Sequence, residues 1–265
     1  MKKEPVIGVI GGMGPYAGID LVEKIFDQTQ AVTDQDHLPV ALLSLPHRIG
    51  DRSAYLRGEC SENPADAIAK LARQLDTLGA TVAGIPCNTA HAPVIYNSIR
   101  AQLRASGASI RLLHMIKEAV RFAREERRGL RGIGVISTLA VYRLGLYTAT
   151  IEAAGFDAVL PDEDIEINLV ERTIFDPAFG IKAFAHPVTS KARQNVLDAI
   201  THLREKGADA VILGCTELPL AIPETEIDGT LIIDPTLVLA RALIRETYPD
   251  KLVCVNPEVE NVSLF

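Results

Sequence analysis

Long hydrophobic runs are missing from this 265-residue sequence. No apolar stretch approaches the roughly 18 residues that a bilayer span requires. The opening, MKKEPVIGVIGG, starts basic, but Glu4 and Pro5 interrupt it and its apolar part is one strand long. That argues against a signal peptide or an anchor, so a cytoplasmic protein with no membrane partner is expected. Basic excess is missing too. The net charge is −7 with the signs interspersed, whereas nucleic-acid binding needs a clustered basic face. The one basic stretch, Lys117 to Arg131, has the pattern of a solvated helix face. Cysteine is scarce: Cys60, Cys87, Cys215 and Cys254 form no CxxC pair and no zinc spacing. Neither a disulfide framework nor a structural metal is expected from them. What remains is a chain 48% hydrophobic and 23% charged, ordinary for a soluble globular protein and long enough for one large domain or two small ones.

A nine-residue stretch occurs twice and organises the rest. GATVAGIPC runs from Gly79 to Cys87, and GADAVILGC from Gly207 to Cys215. Each copy reads as a helix ending at glycine, a buried strand, and a thiol where the strand gives way to a loop. Around the first copy lie an apolar strand at 6–10, a helix with Ile19, Val22, Phe26 and Thr29 at helical spacing, and a strand from Val40 to Leu45. A polar segment without period follows, then a helix capped by Asn63-Pro64 with Ile68, Leu71, Leu75 and Leu78 on one face. Ile110 to His114 reads as a fourth strand. The second half replays this order, with strands at 131–138, 157–160 and 230–234, helices at 139–154 and 190–206, and an irregular stretch between 167 and 187. Gly134 stands where Gly8 stood.

Apolar strands alternating with amphipathic helices predict an α/β fold with two similar domains, each a four-stranded parallel sheet flanked by helices and related by a pseudo-two-fold axis. The fourth strand of each unit leads into the other. The expected division is therefore 1–115 plus 235–265 for one domain and 116–234 for the other. Ligands bind beyond the carboxyl ends of such strands, which places the site in the cleft between domains.

Gly12-Met13-Gly14-Pro15-Tyr16-Ala17 fits the dinucleotide fingerprint, but the second strand ends in Ser44-Leu45-Pro46 without the acid that would hold a ribose. Pro15 also removes a helix N-terminal donor. A turn at Gly12 and Met13 whose amides bind a substrate carboxylate suits these residues better.

A lone cysteine after a strand is usually a small buried hydrophobe. Two at equivalent positions of a repeat call for more. Across one cleft they would place a sulfur on each face of a ligand carbon, one thiolate and one thiol, able to remove a proton from one side and return one to the other. A free thiol with a pKa near 8.5 is only about 3% ionised at neutral pH. Each cysteine precedes a polar turn into an apparent helix, whose dipole should favour the thiolate.

GGMGP, PCNTAH (Pro86 to His91) and GCTELPL (Gly214 to Leu220) together resemble the aspartate/glutamate racemase superfamily, and its aspartate racemase branch in particular, from Ile7 to about Ala242. Glutamate racemases carry an acidic opening motif and a histidine two positions after the second cysteine; here Gly11-Gly12 and Glu217 stand there. The resemblance implies two-base racemisation of an amino acid by Cys87 and Cys215 without pyridoxal phosphate, metal or other cofactor, in a frequently homodimeric enzyme. It also puts a carboxylate-gripping arginine at Arg52, in GDRSAYL, and a lysine across the cleft at Lys182, in FGIKAF, as the second anchor for a dicarboxylate. Asn88, Thr89 and Thr216 would donate to the α-carboxylate, where the carbanion's charge accumulates. Glu217 would bind the ammonium or orient the thiol, and His91 would tune the first thiolate or merely cap and pack. Related chemistries remain open: a maleate isomerase, an arylmalonate decarboxylase-like enzyme, or a non-catalytic amino-acid binding protein.

Overall fold

The computed structural model describes residues 4–126 and 129–254. Two sheets carry the fold. The first contains β1 (Val6–Gly11), β2 (Val40–Ser44), β3 (Ala80–Gly84) and β4 (Arg111–Leu112), all parallel in the order β2-β1-β3-β4. The second contains β5 (Gly132–Ser137), β6 (Asp157–Val159), β7 (Ala210–Gly214), β8 (Glu226–Ile227) and β9 (Thr230–Ile233), in the order β6-β5-β7-β9-β8. Four of these five strands are parallel, and β8 runs antiparallel to β9. The second sheet therefore has a fifth strand beyond the four expected. Its cause is local: Asp228 and Gly229 both take positive φ (47° and 81°), the geometry of a two-residue hairpin turn for which Asp-Gly is a favoured sequence.

The two halves pack alike where their sequences agree. Gly8 pairs with Ala83, and a Cβ on it would meet Leu75, Ala80 and Ala83 at 3.0–3.3 Å. Gly134 pairs with Val211, and its Cβ would meet Leu203, Ala208 and Val211 at 3.0–3.2 Å. Each of these partners lies 128 positions after its counterpart, as Cys215 lies after Cys87. Both glycines let the helix before the cysteine strand close onto the sheet.

Helices cover both sheets. The Pro15–Asp27 helix buries Ala17, Leu21 and Ile25 and leaves Ile19 53% exposed. Its inward face is thus rotated from the expected Ile19-Val22-Phe26 stripe, because the wholly buried Leu21 and Ile25 pack with Ile7 and Val9 of β1. Each such side chain contributes about 1.5–3 kcal/mol through burial. The Ala65–Thr77 helix buries Ile68, Leu71 and Leu75 as expected, while Leu78, at its end, is exposed. The expected 139–154 helix is two short ones, Leu139–Arg143 and Thr148–Ala153, parted at Gly145 with φ 59°. The segment from 163 to 175 is helical, with a π-helical turn at Glu166–Glu171. The Met115–Glu126 helix packs Ile116, Ala119 and Val120 against β5 and β7, and the Pro235–Thr247 helix packs Leu239 and Leu243 against the first sheet's core. No helix among the described residues is long and apolar enough to cross a membrane.

Candidate active site

At the carboxyl ends of β3 and β7 a cavity of about 240 Å³ receives residues from both halves. Cys87 and Cys215, both buried, line it together with Met13, Arg52, Asn88, Thr89, Lys182, Thr216 and Glu217. Asp51, Ser53, Thr138 and Phe175 complete most of the wall. Two sequence candidates fall outside it. Gly12 takes φ 97° and lies against the backbone of Leu45 and Pro46, so it shapes the turn and does not face the cavity. His91 donates or accepts at Nδ1 with the Cys87 carbonyl (2.9 Å) and at Nε2 with the Met115 amide (3.2 Å). The amide can only donate, so Nε2 accepts and Nδ1–H donates. Burial pushes the His91 pKa down to about 4, so it is neutral and positions the Cys87 backbone without adding a cation. Cys60 and Cys254 are exposed and lie outside the cavity lining.

The helices expected after the cysteines are shorter than the dipole argument needs. A 3₁₀ turn, Asn88–His91, follows Cys87, with an α-helix beginning only at Pro93. Leu218–Leu220 is another 3₁₀ turn after Cys215. Charged side chains therefore set the polarity, and they differ between the two sulfurs.

Arg52 opens a short helix, Arg52–Leu56, whose N-cap Asp51 accepts from the Ala54 amide at 2.9 Å. Its guanidinium touches the Gly50 carbonyl (3.2 Å) and, at 3.5 Å, the Met13 carbonyl, while Nε is buried without a partner. Burial alone would loosen its proton, but the charges of Cys87, Asp51 and Glu217 tighten the hold and keep it cationic. A planar donor with unused hydrogens beside Cys87 suits a carboxylate.

Cys215 faces an anion instead. Its thiol donates to Glu217 Oε2 at 3.1 Å, Thr216 Oγ1 donates to the same oxygen at 3.3 Å, and Lys182 Nζ donates to Oε1 at 2.6 Å. Burial would raise the Glu217 pKa, but Lys182 and these donors carry it below the ordinary carboxylate range. Burial and the Glu217 charge push Cys215 far above the ordinary thiol value, with Lys182 opposing. Cys215 therefore holds its proton. The Thr216 hydroxyl is committed to Glu217, which leaves its backbone amide for any ligand. Gly14 packs closely here: a Cβ would sit 3.1 Å from Glu217 Oε1, so the carboxylate would have to give by a few tenths of an ångström. Lys182 is delivered by a tight turn in which Gly180 donates to the Asp176 carbonyl at 2.7 Å and a Cβ would come within 2.6 Å of Asp176. Ile181 and Lys182 then donate to the carbonyls of Thr173 and Ile174, and the ammonium lies 5.6 Å from the Phe175 ring centroid.

One residue of this constellation escaped sequence reasoning. Tyr147, 2% exposed, donates from its hydroxyl to Asn88 Oδ1 at 2.6 Å across the two halves. Burial and the charges of Asp234 and Cys215 raise its pKa far above the phenol value, so the proton stays on oxygen. With Oδ1 held, the Asn88 amide nitrogen, buried and unpartnered, is left as a donor at the cavity wall. Only the short Gly-Leu-Tyr run after Arg143 hinted at a turn there. Among the described residues no group of His, Cys, Asp and Glu could hold a metal ion.

The model of the Asp/Glu/Hydantoin racemase family matches residues 10–243. The chain belongs to that family. It is 22% identical over 244 residues to the broad specificity amino-acid racemase RacX of Bacillus subtilis, covering 90% of this chain and 96% of that one. Among solved structures it is similar to the aspartate racemase of Picrophilus torridus, at 28% identity and TM-score 0.73, with 92% and 94% of the two chains covered. The fold is also that of the Francisella tularensis glutamate racemase, at 16% identity and TM-score 0.62, with 97% and 85% covered.

Proposed function

We propose that this racemase-family chain interconverts L- and D-aspartate, with glutamate a secondary substrate, by a cofactor-independent two-cysteine mechanism. The observation that carries the reading is that Cys87 and Cys215, at equivalent strand ends of the repeat, line one polar cavity with opposite charges beside them. At about 240 Å³ the cavity lies below the roughly 300–1,000 Å³ of drug-sized sites, which suits a small metabolite.

In the proposed reaction the Cys87 thiolate takes the Cα proton from one face of the amino acid, leaving a carbanion whose charge spreads onto the α-carboxylate. The Asn88 amide and the backbone donors at Thr89 and Thr216 stabilise that charge where it develops. The Cys215 thiol then gives its proton to Cα on the opposite face. Turnover leaves Cys87 protonated and Cys215 ionised, ready for the reverse direction. Arg52 grips the side-chain carboxylate in bidentate fashion. Lys182 screens Glu217, so that ionised Cys215 does not face an unbalanced anion.

The test is incubation with L-aspartate in heavy water, over a panel of amino acids. D-Aspartate should form with deuterium at Cα, at a rate unchanged by a chelator or by hydroxylamine. Product carrying only protium at Cα, or turnover abolished by either reagent, would overturn the mechanism.

A further inference from the structure

A second cavity, larger than the first at about 610 Å³, shares no lining residue with it. His91 connects the two. His91 lines the larger cavity, and its Nδ1–H holds the Cys87 carbonyl. His91, Tyr96 and His114 form a packed aromatic wall with ring centroids 4.7–5.1 Å apart. Ile116, Leu144 and Leu146 add apolar surface to the lining.

The charge at this cavity has one sign. Arg100 and Lys117 line it, and neither has an acidic partner among the described residues. By contrast Arg121, one turn beyond Lys117, is paired with Glu118 and Glu125. Two helices, Pro93–Ala105 and Met115–Glu126, begin at the cavity, and helix N-termini carry partial positive charge. His114 is neutral here: burial, then the neighbouring His91, Lys117 and Arg100, push its pKa down to about 3. Its Nδ1 is buried without a partner. An apolar body fits the wall and floor, and an anionic group fits the paired cations.

We propose that this cavity is an effector site for a small organic anion, with its ring or apolar body against Tyr96 and Leu144 and its phosphate or carboxylate between Arg100 and Lys117. Pressure on the His91 ring reaches the Cys87 carbonyl through one hydrogen bond, so occupancy alters turnover. This coupling rests on the reading of Cys87 as a catalytic base; the binding site does not.

The experiment titrates phenyl phosphate, benzoate, inorganic phosphate and phenol into the full chain by calorimetry, with aspartate racemisation followed in parallel. Phenyl phosphate or benzoate should bind saturably, and phenol and inorganic phosphate at least roughly tenfold more weakly. The R100E/K117E double variant should lose binding by a similar factor while its racemisation without probe stays within about twofold of wild type. Bound probe should change kcat in the wild type and leave the double variant unaffected. No saturable binding, binding equal in the double variant, or phenol binding as tightly as phenyl phosphate overturns the site. Binding that leaves kcat untouched overturns the coupling through His91. If V94E/L144E splits a dimer and only then admits the probe, the cavity is a subunit interface and the proposal falls. Binding without racemisation would sink the substrate assignment and leave this site standing.

Discussion

Cys87 and Cys215 end equivalent strands of a repeat, yet they sit in opposite electrostatic settings. The shared part is the scaffold: glycine, strand, thiol, and a helix closing on Gly8 or Gly134. The unshared part comes from the loops. The segment after β2 brings Arg52, a cation with free donors, beside Cys87. The longer segment after β6 brings Lys182, which is already neutralised by Glu217, and Glu217 in turn accepts a hydrogen bond from the Cys215 thiol. The two strand ends supply two thiols; loop divergence places a cation beside one and an anion beside the other. A two-base exchange needs that inequality, since two thiols or two thiolates could not pass a proton across Cα.

Removing either sulfur tests the shared part and should have the largest effect. Cys87→Ala and Cys215→Ala should each lower racemisation roughly a thousandfold or more, at the upper range for a lost acid or base. Each should still exchange Cα deuterium into one enantiomer only, the two variants choosing opposite enantiomers. If both variants exchange the same enantiomer, the sulfurs do not address opposite faces.

Arg52→Ala tests the unshared part. It should reduce kcat/KM for aspartate about a hundredfold, the worth of a charged hydrogen-bonded pair, with much less loss for alanine. Equal losses for both would mean that Arg52 does not hold the side-chain carboxylate. On the other side, Glu217→Gln removes the anion beside Cys215. Because the Glu217 charge raises the Cys215 pKa, its loss lowers that pKa, and the alkaline limb of the kcat/KM profile should move to lower pH. A limb that stays in place would separate Glu217 from the thiol's titration.

Tyr147→Phe should have a smaller effect, about tenfold in kcat/KM, as expected for one neutral buried hydrogen bond with its orphaned acceptor. Because Tyr147 acts through Asn88, its loss should fall on kcat with KM nearly unchanged, and Tyr147→Phe combined with Asn88→Ala should cost no more than Asn88→Ala alone. Additive losses would show that the hydroxyl acts elsewhere.

The repeat, the parallel sheets and the two cysteine-bearing strand ends were legible because they depend on local pattern: glycine, apolar run, thiol. The β8–β9 hairpin was equally legible in Asp228-Gly229 and was passed over, since two-residue strands are too short to show alternation. Tyr147 was not legible, as its partner Asn88 is 59 positions away and nothing in either neighbourhood marks the pair. The pairing of Lys182 was not legible for the same reason, since its partner Glu217 comes from a loop 35 positions on. The inward face of the Pro15–Asp27 helix was ambiguous because Ile19, Leu21, Val22, Ile25 and Phe26 support two stripes, and only contact with β1 selects one.

The loop after β6 also contains a buried group that the corresponding loop of the first half lacks. Glu166, in the π-helical turn that leads toward Phe175 and Lys182, is wholly buried, and neither carboxylate oxygen has a partner among the described residues. Burial, aided by the charge of Glu171, raises its pKa from 4.5 to about 8. The folded protein therefore holds this proton more tightly than the unfolded chain, so the contribution to stability is complete below pH 4.5 and fades as pH rises through about 8. Glu166→Gln keeps the shape and cannot ionise. Wild type should lose several degrees more Tm than this variant between pH 6 and pH 9, while the matching Glu59→Gln change in the first half's loop, exposed and already ionised, should leave the pH dependence over that range unchanged. Equal Tm profiles for wild type and Glu166→Gln would mean that the Glu166 carboxyl finds a partner on ionisation, and the two loops would then respond to alkali alike.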